Sequence, residues 1–269
     1  MATQTENDFQ ASTIKDARAV WDRIAGWWDE SIGEGNEFQR ELIMPATDRL
    51  LALKPGEVVL DAACGNGNYS RRLGRAGAKV VAFDGSATFI ERARQRTTVD
   101  DGAIEYHLLD ATDESSLLGL GEGRFDAAVC SMAMMDLPVI TPLLRSLRKL
   151  LKPAGRFVFS IPHPCFNSSQ LRMTAELVEN KGKLSQIYGV HVSEYLRPTA
   201  YLSTGIINQP EPHQLFHRPL GVLFAECFAA GFVIDGLEEP AFAPGGNAKN
   251  PFSWAKRPDI PPAMVIRIR

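Results

Sequence analysis

The chain has few cysteines, no surplus of positive charge and no long apolar run. Its four cysteines among 269 residues form no CxxC pair, so neither a disulfide framework nor a zinc site is predicted. Acidic residues outnumber basic ones by 32 to 29, whereas a dedicated nucleic-acid-binding protein usually carries a basic surplus. No run of about 18 apolar residues occurs, and the N-terminus MATQTENDFQ lacks the pattern of a signal peptide. We therefore expect a cytoplasmic protein with no membrane span, no nucleic-acid partner and no metal.

Short runs rich in β-branched residues alternate with helical segments from residue 57 onward. Five runs have the length and continuous apolar character of strands in a buried parallel sheet: 57–63, 79–84, 104–110, 125–133 and 155–161. Helices are predicted at 86–96, 140–151 and 216–231, and two more strands at 232–239 and 263–269. The pattern predicts an α/β, Rossmann-like, doubly wound fold with a seven-stranded, mostly parallel sheet and an antiparallel last strand.

Prolines and glycines do not cluster into a linker, so a single domain is expected over residues 1–269. Within it, 13–53 forms a helical N-terminal lid and 54–165 the cofactor-binding core. Residues 166–215 interrupt the strand–helix rhythm and are predicted to cap the substrate, because such insertions commonly cover the ligand crevice. Residues 216–269 supply the last helix and strand pair.

The first predicted strand ends in the glycine-rich turn of VLDAACGNGNYSRRL. Gly65 and Gly67 allow the backbone to approach a ligand closely, and the following helix directs free N–H groups at the same place. A GxG turn also occurs in nicotinamide-binding and phosphate-binding proteins, and some such turns hold no ligand. Ser70 stands where the nicotinamide fingerprint requires a third glycine, which disfavours a dehydrogenase.

Three acidic residues stand where the first three strands end. Asp61 precedes the glycines, where an anion suits a cation such as an ammonium group better than a pyrophosphate. Asp84 ends the second strand, where a carboxylate can bind a ribose diol. Asp110, in LLDATD, can accept a hydrogen bond from an exocyclic amine such as that of adenine. Together they predict a nucleoside ligand with an amino-acid tail.

At this point the chain resembles the class I S-adenosylmethionine-dependent methyltransferases. The resemblance covers about residues 45–165 and is carried by VLDAACGNGNYSRRL, VVAFDGS, LLDATD and FDAAVCSMAMMDLP…LRKLLKPAGRFVFSIPHP. It implies S-adenosylmethionine as cofactor, with the methionine moiety near the glycine turn, the ribose at the second strand end and adenine at the third. The implied cofactor-binding residues are Asp61, Ala63, Gly65, Asn66, Gly67, Asp84, Gly85, Ser86, Asp110, Ala111, Thr112, Cys130, Ser131 and Met132. Ala62–Ala63 departs from the bulkier residue or glycine frequent in the family, which a small side chain should tolerate.

His163, in SIPHPCF, is the candidate catalytic residue. It follows the fifth strand, and the flanking prolines restrict its backbone. An imidazole that titrates near neutrality can act as a general base, but His163 can also cap the strand end or only bind substrate. The other candidate acceptor-binding residues are aromatic or polar side chains of the lid, the cap and the last helix: Trp27, Trp28, Asn36, Phe38, Tyr188, Tyr195, Tyr201 and His217. Core packing is an alternative for the tryptophans, and either His213 or His217 is a candidate to enter the pocket.

These observations predict transfer of a methyl group from S-adenosylmethionine to oxygen or nitrogen of a small organic molecule. The alternatives are a tRNA or protein methyltransferase, or a cofactor-binding regulatory protein without activity. The sequence does not indicate the acceptor or the oligomeric state.

Overall fold

A computed structural model describes residues 11–244 and 249–269 of the chain. Its strands are β1 (Val58–Ala62), β2 (Lys79–Asp84), β3 (Ile104–Leu108), β4 (Phe125–Ser131), β5 (Leu151–Pro162), β6 (Arg172–Asn180), β7 (Lys183–His191), β8 (Thr199–Ser203), β9 (His213–His217), β10 (Ile234–Glu238) and β11 (Ala263–Ile268). Its α-helices are α1 (Ala11–Ile32), α2 (Met44–Leu51), α3 (Asn68–Arg75), α4 (Ala87–Arg96), α5 (Glu114–Leu118), α6 (Thr141–Leu150) and α7 (Leu220–Ala229).

Seven strands form the central sheet, in the order β10-β11-β5-β4-β1-β2-β3. Asp61 of β1 stands opposite Ala82 of β2 and Val129 of β4, and both pairings are parallel. The chain leaves β1 toward β2 and β3 and later returns to β4, so the topology reverses beside β1, where open α/β sheets bind ligands. β11 lies between β5 and β10 and is antiparallel to both. The predicted mostly parallel, seven-stranded Rossmann-like sheet is therefore confirmed.

Alternate strand residues fill two cores, one on each face of the sheet. Val59 and Val80 pack on the face covered by α2 and α3. Leu60 and Phe83 pack on the face covered by α5, α6 and α7. Each fully buried aliphatic or aromatic side chain contributes about 1.5–3 kcal/mol to folding, and the strand period of two directs consecutive residues to opposite cores. Helices thus cover both faces of the sheet, and the carboxyl ends of the strands lie open between the two helical layers.

The N-terminal segment is helical, as its sequence predicts. α1 spans 22 residues and ends before Gly33 and Gly35, which have φ angles of 52° and 106°. A π-helical turn, Gln39–Ile43, then leads directly into α2. Among the described residues no helix is both long and apolar enough to cross a membrane.

The segment between β5 and α7 consists of two antiparallel hairpins, β6–β7 and β8–β9. The helix predicted at 216–231 begins only at Leu220, because residues 213–217 pair with β8 as a strand. Pro219, with ψ of 152°, separates the two elements. The sequence prediction was wrong here because local helical periodicity does not report a cross-strand partner distant in sequence.

Candidate active site

A cavity of about 580 Å³ lies at the carboxyl ends of β1 to β4, within the range of roughly 300–1,000 Å³ typical of ligand sites. Predicted cofactor-binding residues line one part of it: Asp61, Ala63, Gly65, Asn66, Asp84, Gly85, Ser86, Asp110, Ala111, Thr112, Ser131 and Met132. Residues of α1, the π-helical segment and the β8–β9 hairpin line the rest. Residues widely separated in sequence thus enclose one space.

The two glycines of the turn differ in what surrounds them. Gly65 has φ of 54°, lines the cavity, and leaves open space where a Cβ would project. Gly67 has φ of 73°, and a Cβ there would lie 2.5 Å from the Tyr106 hydroxyl oxygen. Gly67 does not line the cavity; it is required for packing at the start of α3, where it is the N-cap residue. Of the two glycines, only Gly65 leaves room for a ligand to approach the turn closely.

Asp61 is a buried carboxylate at the edge of the cavity. Its side chain accepts a hydrogen bond of 2.5 Å from Ser70 Oγ, and 1% of the residue is exposed. Burial raises the pKa of Asp61 to about 7. A buried carboxylate of this kind is stabilised by a cationic group, which agrees with the ammonium partner that the sequence predicts.

Asp84 holds the glycine turn against the end of β2. Its two carboxylate oxygens accept hydrogen bonds from the backbone N–H groups of Gly65, at 2.8 Å, and Ser86, at 2.9 Å. Burial raises its pKa to about 6. Each oxygen retains a further lone pair, so the carboxylate can bind a diol while it orders the turn.

Asp110 lies at the third strand end and is bound from two sides. One oxygen accepts hydrogen bonds from the Thr112 backbone N–H, at 2.8 Å, and its hydroxyl, at 2.7 Å. The other pairs with Arg18 of α1 at 3.0 Å. α1 thus contacts the acid predicted to lie beside the adenine.

α1 is also anchored over the glycine turn through Asp29, of which 2% is exposed. Asn66 of the turn donates to Asp29 Oδ1 at 3.0 Å, and Arg96 Nη2 donates to Oδ2 at 3.0 Å. Near the middle of α1, Asp22 accepts a hydrogen bond of 2.6 Å from Ser86. These contacts hold α1 against the loops that follow β1 and β2.

The residues at the end of β4 line the cavity, and the backbone is strained there. Met132 has φ of 53°, and its N–H donates to Ser160 Oγ at 2.9 Å. Ala63, across the cavity floor, has φ of 54°. Non-glycine residues rarely adopt this region, and such strain concentrates at functional sites. Cys130 lies in the apolar core with no exposed surface, because strand alternation directs it away from the cavity.

The second part of the cavity is lined mostly by aromatic and aliphatic side chains. Trp28, Asn36, Phe38 and Tyr201 lie there, as the sequence predicts. Trp27 does not line the cavity: its ring packs edge-on against Trp28 at 6.2 Å. Adjacent helical residues point about 100° apart, so both rings cannot enter together.

His163, the candidate catalytic residue of the sequence, does not line the cavity. Its Nδ1 accepts a hydrogen bond from the Cys165 backbone N–H at 3.1 Å, and Nε2 lies 2.8 Å from Glu239 Oε1. Burial lowers its pKa. Both ring nitrogens are therefore occupied in joining the end of β5 to the segment after β10, the structural role that the sequence left open.

Three further candidates lie outside the cavity for similar reasons. Tyr188 of the β6–β7 hairpin lies beneath the Arg257 guanidinium, 5.7 Å from ring centroid to Cζ. The Tyr195 hydroxyl accepts a hydrogen bond from the Leu220 N–H at 2.9 Å, capping α7. His217 Nε2 donates to the Tyr195 carbonyl at 2.8 Å. Of the two histidines considered for the pocket, His213 lines it instead.

The structure adds one acidic residue that the sequence interpretation overlooked. Asp136 follows β4 in the short helical turn Met134–Asp136 and lines the cavity with its side chain 11% exposed. Burial raises its pKa well above the ordinary carboxyl value, and its Oδ1 lies 3.7 Å from His213 Nε2. The feature of the sequence that could have identified Asp136 is that it is the single acidic residue within the apolar run SMAMMDLP.

Residues 60–159 match a family model described as a methyltransferase domain. The chain is 35% identical over 150 residues to a demethylmenaquinone methyltransferase of Clavibacter sepedonicus, covering 54% of this chain and 58% of the relative. It is 27% identical over 159 residues to a ubiquinone biosynthesis O-methyltransferase of Xanthomonas campestris pv. campestris, covering 58% and 63%. The chain thus spans less than two thirds of the length of these curated relatives.

A solved S-adenosylmethionine-dependent methyltransferase from Mesorhizobium loti superposes over most of the molecule. The TM-score is 0.64 at 25% identity, covering 84% of this chain and 96% of that protein. The matched domain includes the glycine turn and all three strand-end acids, and the superposition extends to elements outside that domain. Residues 60–159 are thus similar to a methyltransferase domain, and the fold as a whole is similar to that of a solved S-adenosylmethionine-dependent methyltransferase.

Proposed function

We propose that the protein transfers a methyl group from S-adenosylmethionine to an oxygen or nitrogen atom of a small organic molecule. The observation that carries this proposal is the shared cavity, in which three strand-end acids adjoin a mostly aromatic compartment. A methyl donor and its acceptor must meet in one space from which water is excluded.

The polar part of the cavity fits the cofactor. Asp61 is buried beside the open face of Gly65 and suits the ammonium of the methionine moiety. Asp84 would bind the ribose hydroxyls, and Asp110 the adenine amine. The remaining cavity-lining residues of the strand ends would shape the walls of this half, whereas Gly67 and Cys130 would support it from outside.

The aromatic part would bind the acceptor. Trp21 and Trp28 lie with ring centroids 5.4 Å apart, and the tilted His213 ring contacts Trp21 at 4.5 Å between centroids. Such a compartment favours a small, largely apolar and planar molecule over a charged polymer. Two relatives are named as a demethylmenaquinone methyltransferase and a ubiquinone biosynthesis O-methyltransferase, and these names indicate acceptors of the same small-molecule class. Residues 13–53 would act as the lid, and β8 with residues 204–206 would form the part of the 166–215 insertion that caps the acceptor.

The protein accelerates methyl transfer chiefly by holding the acceptor and the methyl donor in position. Bound S-adenosylmethionine supplies an electrophilic methyl group on a cationic sulfur. The aromatic walls align the acceptor atom with that methyl group and exclude competing water. α1, anchored through Asp29 and Arg18, covers the same space and keeps the two halves together.

Calorimetric titration with S-adenosylmethionine and S-adenosylhomocysteine tests the cofactor first. Mass spectrometry then follows methylation of a panel of phenols, carboxylates and amines, with bulk tRNA and unrelated proteins in parallel reactions. Micromolar cofactor binding and a methylated small molecule would support the proposal. A folded protein that binds neither compound would overturn it, and methylation confined to tRNA or protein would replace the proposed acceptor class.

A further inference from the structure

Asp136 and His213 both line the cavity. The Oδ1 atom of Asp136 is buried and has no hydrogen-bond partner among the described residues. His213 Nε2 lies 3.7 Å from it, beyond hydrogen-bonding distance. An oxygen atom placed about 2.8 Å from each would bridge them. A ligand group between them would satisfy the buried carboxylate oxygen.

The proton position on His213 follows from the hydrogen bonds of Gln209. The Gly205 N–H donates to Gln209 Oε1 at 3.0 Å, which identifies the amide oxygen. The amide nitrogen therefore donates, at 2.5 Å to the Glu211 carbonyl and at 2.9 Å to His213 Nδ1. Since Nδ1 accepts a hydrogen bond, the proton of the neutral imidazole lies on Nε2. Burial lowers the His213 pKa to about 4, so the neutral ring prevails at pH 7.

Asp136 is held firmly enough to select a substrate group. Its N–H donates to the Ala133 carbonyl at 2.9 Å, closing the short helical turn. Arg218, 6% exposed, donates to the carbonyls of Leu137, at 2.7 Å, and Pro138, at 2.8 Å. The loop that carries the carboxylate is thus fixed on both sides of Asp136.

A hydroxyl group meets all the requirements of this pair. It can donate its proton to Asp136 Oδ1, accept a hydrogen bond from His213 Nε2, and keep a second lone pair for the methyl carbon. A neutral amine has one lone pair. A hydrogen bond accepted from His213 Nε2 would occupy this lone pair, which must attack the methyl carbon. An ammonium ion has no lone pair. The pair is therefore complementary to a hydroxyl and unsuited to a nitrogen nucleophile.

We infer that the methyl acceptor is a hydroxyl oxygen held between Asp136 and His213, and that Asp136 takes its proton. The inference rests on the proposed methyltransferase function and narrows it to O-methylation of an alcohol or phenol. A lone pair of the acceptor oxygen forms the new bond to the methyl carbon, and the carbon–sulfur bond breaks with its electron pair left on sulfur. The hydroxyl proton passes to the Asp136 carboxylate, giving a neutral carboxyl group, a thioether and a methyl ether.

The groups around Asp136 are consistent with that role. His213 of β9 and Tyr201 of β8 approach it from the cap, and Asp84 acts on it electrostatically from the end of β2. Burial raises its pKa, which strengthens a carboxylate as a proton acceptor. The histidine N–H and a cationic cofactor in the same cavity both favour the ionised form from which it acts.

Acceptors that differ in acidity provide the kinetic test. Wild type and Asp136→Asn are compared at pH 8 on phenol, which is protonated in solution, and on 4-nitrophenol, which is largely ionised. We expect Asp136→Asn to bind S-adenosylmethionine as the wild type does and to lose about a hundredfold or more in kcat on phenol. The loss on the ionised acceptor should be about tenfold or less, since no proton needs to be removed. Asp100→Asn, the same change at an exposed position, serves as the control.

A spectroscopic test requires no acceptor and therefore decides even if the panel contains no substrate. Nitrogen-15 NMR of labelled histidine, assigned by loss of signal in His213→Gln, should show His213 protonated at Nε2 near pH 7. Asp136→Asn should shift the Nε2 resonance, whereas Asp100→Asn should not. A ring protonated at Nδ1, or one insensitive to Asp136, would overturn the inference.

The kinetic results can also contradict the inference of a hydroxyl acceptor without contradicting the proposed methyltransferase function. Equal losses on phenol and 4-nitrophenol would assign Asp136 a structural role. Methylation of anilines with no methylation of the matched phenols would support a methyltransferase but overturn the hydroxyl assignment. Absence of cofactor binding would instead overturn the proposed function itself. His213→Gln, which keeps an N–H donor near the Nε2 position, should retain more phenol methylation than His213→Ala.

Discussion

The carboxylate of Asp84 accepts a hydrogen bond from the backbone N–H of Gly65 at 2.8 Å, across 19 residues of sequence. A single side chain thus joins the turn after β1 to the end of β2. The acid predicted to bind the ribose also orders the loop predicted to approach the methionine moiety. Cofactor affinity and local order should therefore depend on the same residue.

Replacement of Asp84 by alanine should weaken S-adenosylmethionine binding by about tenfold or more, equivalent to about 1.4 kcal/mol. The change removes both a predicted ribose ligand and the anchor of the glycine turn. Isothermal titration calorimetry measures the effect, with Asp100→Ala as the matched control. Unchanged affinity in folded Asp84→Ala protein would show that this carboxylate does not contribute to the cofactor site.

Alanine at the two turn glycines should have different consequences. Gly65→Ala meets no atom within 4 Å, so its stability cost should be about 1 kcal/mol, from the positive φ alone. Its Cβ should still obstruct the ligand and lower cofactor affinity. Gly67→Ala adds a clash with the Tyr106 hydroxyl and should cost about 2 kcal/mol or more. Urea unfolding and calorimetry on both variants separate the two effects, and equal behaviour would contradict the distinction.

The buried Asp61 should make the ligand-free protein less stable as pH rises. Its pKa is about 7 in the folded protein, above the ordinary value, so the folded state binds its proton more tightly than the unfolded state does. This contribution is fully present below about pH 4 and is lost as pH rises through about 7. Asp61→Asn should therefore gain stability relative to wild type between pH 5 and pH 8.

Thermal unfolding of wild type and Asp61→Asn at several pH values measures that difference. The comparison cancels the carboxylates that do not interact with Asp61, whereas Asp84, whose charge adds to burial in raising the Asp61 pKa, remains coupled to it. A difference in Tm that stays constant with pH would show that Asp61 is already ionised in the folded protein.

Substitution of His163 should affect stability and leave methyl transfer intact. His163→Gln can still donate to Glu239 and should keep kcat within about twofold, whereas a lost general base costs about a hundredfold or more. His163→Ala should lower the free energy of unfolding by about 1–3 kcal/mol, because it removes the hydrogen bonds to Cys165 and Glu239 and leaves a cavity where the buried imidazole packs. Steady-state kinetics on an identified acceptor distinguish the roles, and a pH-dependent collapse of kcat in His163→Gln would restore the catalytic assignment.

Removal of the Asp29 carboxylate should loosen α1. Asp29→Ala leaves Asn66 and Arg96 without their buried acceptor, and we expect a loss of about 1–3 kcal/mol. Arg96 remains 32% exposed, so solvent limits the cost. Limited proteolysis should cleave α1 faster in this variant, whereas Glu30→Ala, at a side chain 72% exposed, should behave like wild type. Equal cleavage of all three proteins would argue against the anchor.

The sequence alone was sufficient for the sheet and for placing most of the predicted cofactor-binding residues along the cavity. Strand positions follow from short apolar runs, and parallel strands place their carboxyl ends at one edge. Asp61, Asp84 and Asp110 are therefore brought together by topology, without any knowledge of side-chain packing. Gly67 and Cys130 were exceptions, because local pattern does not show which side of a turn or strand packs inward.

The aromatic lining of the cavity was decided only by the tertiary structure. The cavity brings Trp28 together with Tyr201 and His213, which lie more than 170 residues further along the chain. The sequence favours His163 over His213 as a base, yet hydrogen bonds to Cys165 and Glu239 occupy the first, while strand β9 places the second beside Asp136. Local sequence determines which secondary structure forms and where strands end, whereas side-chain orientation and nonlocal hydrogen bonds determine which polar groups reach the ligand.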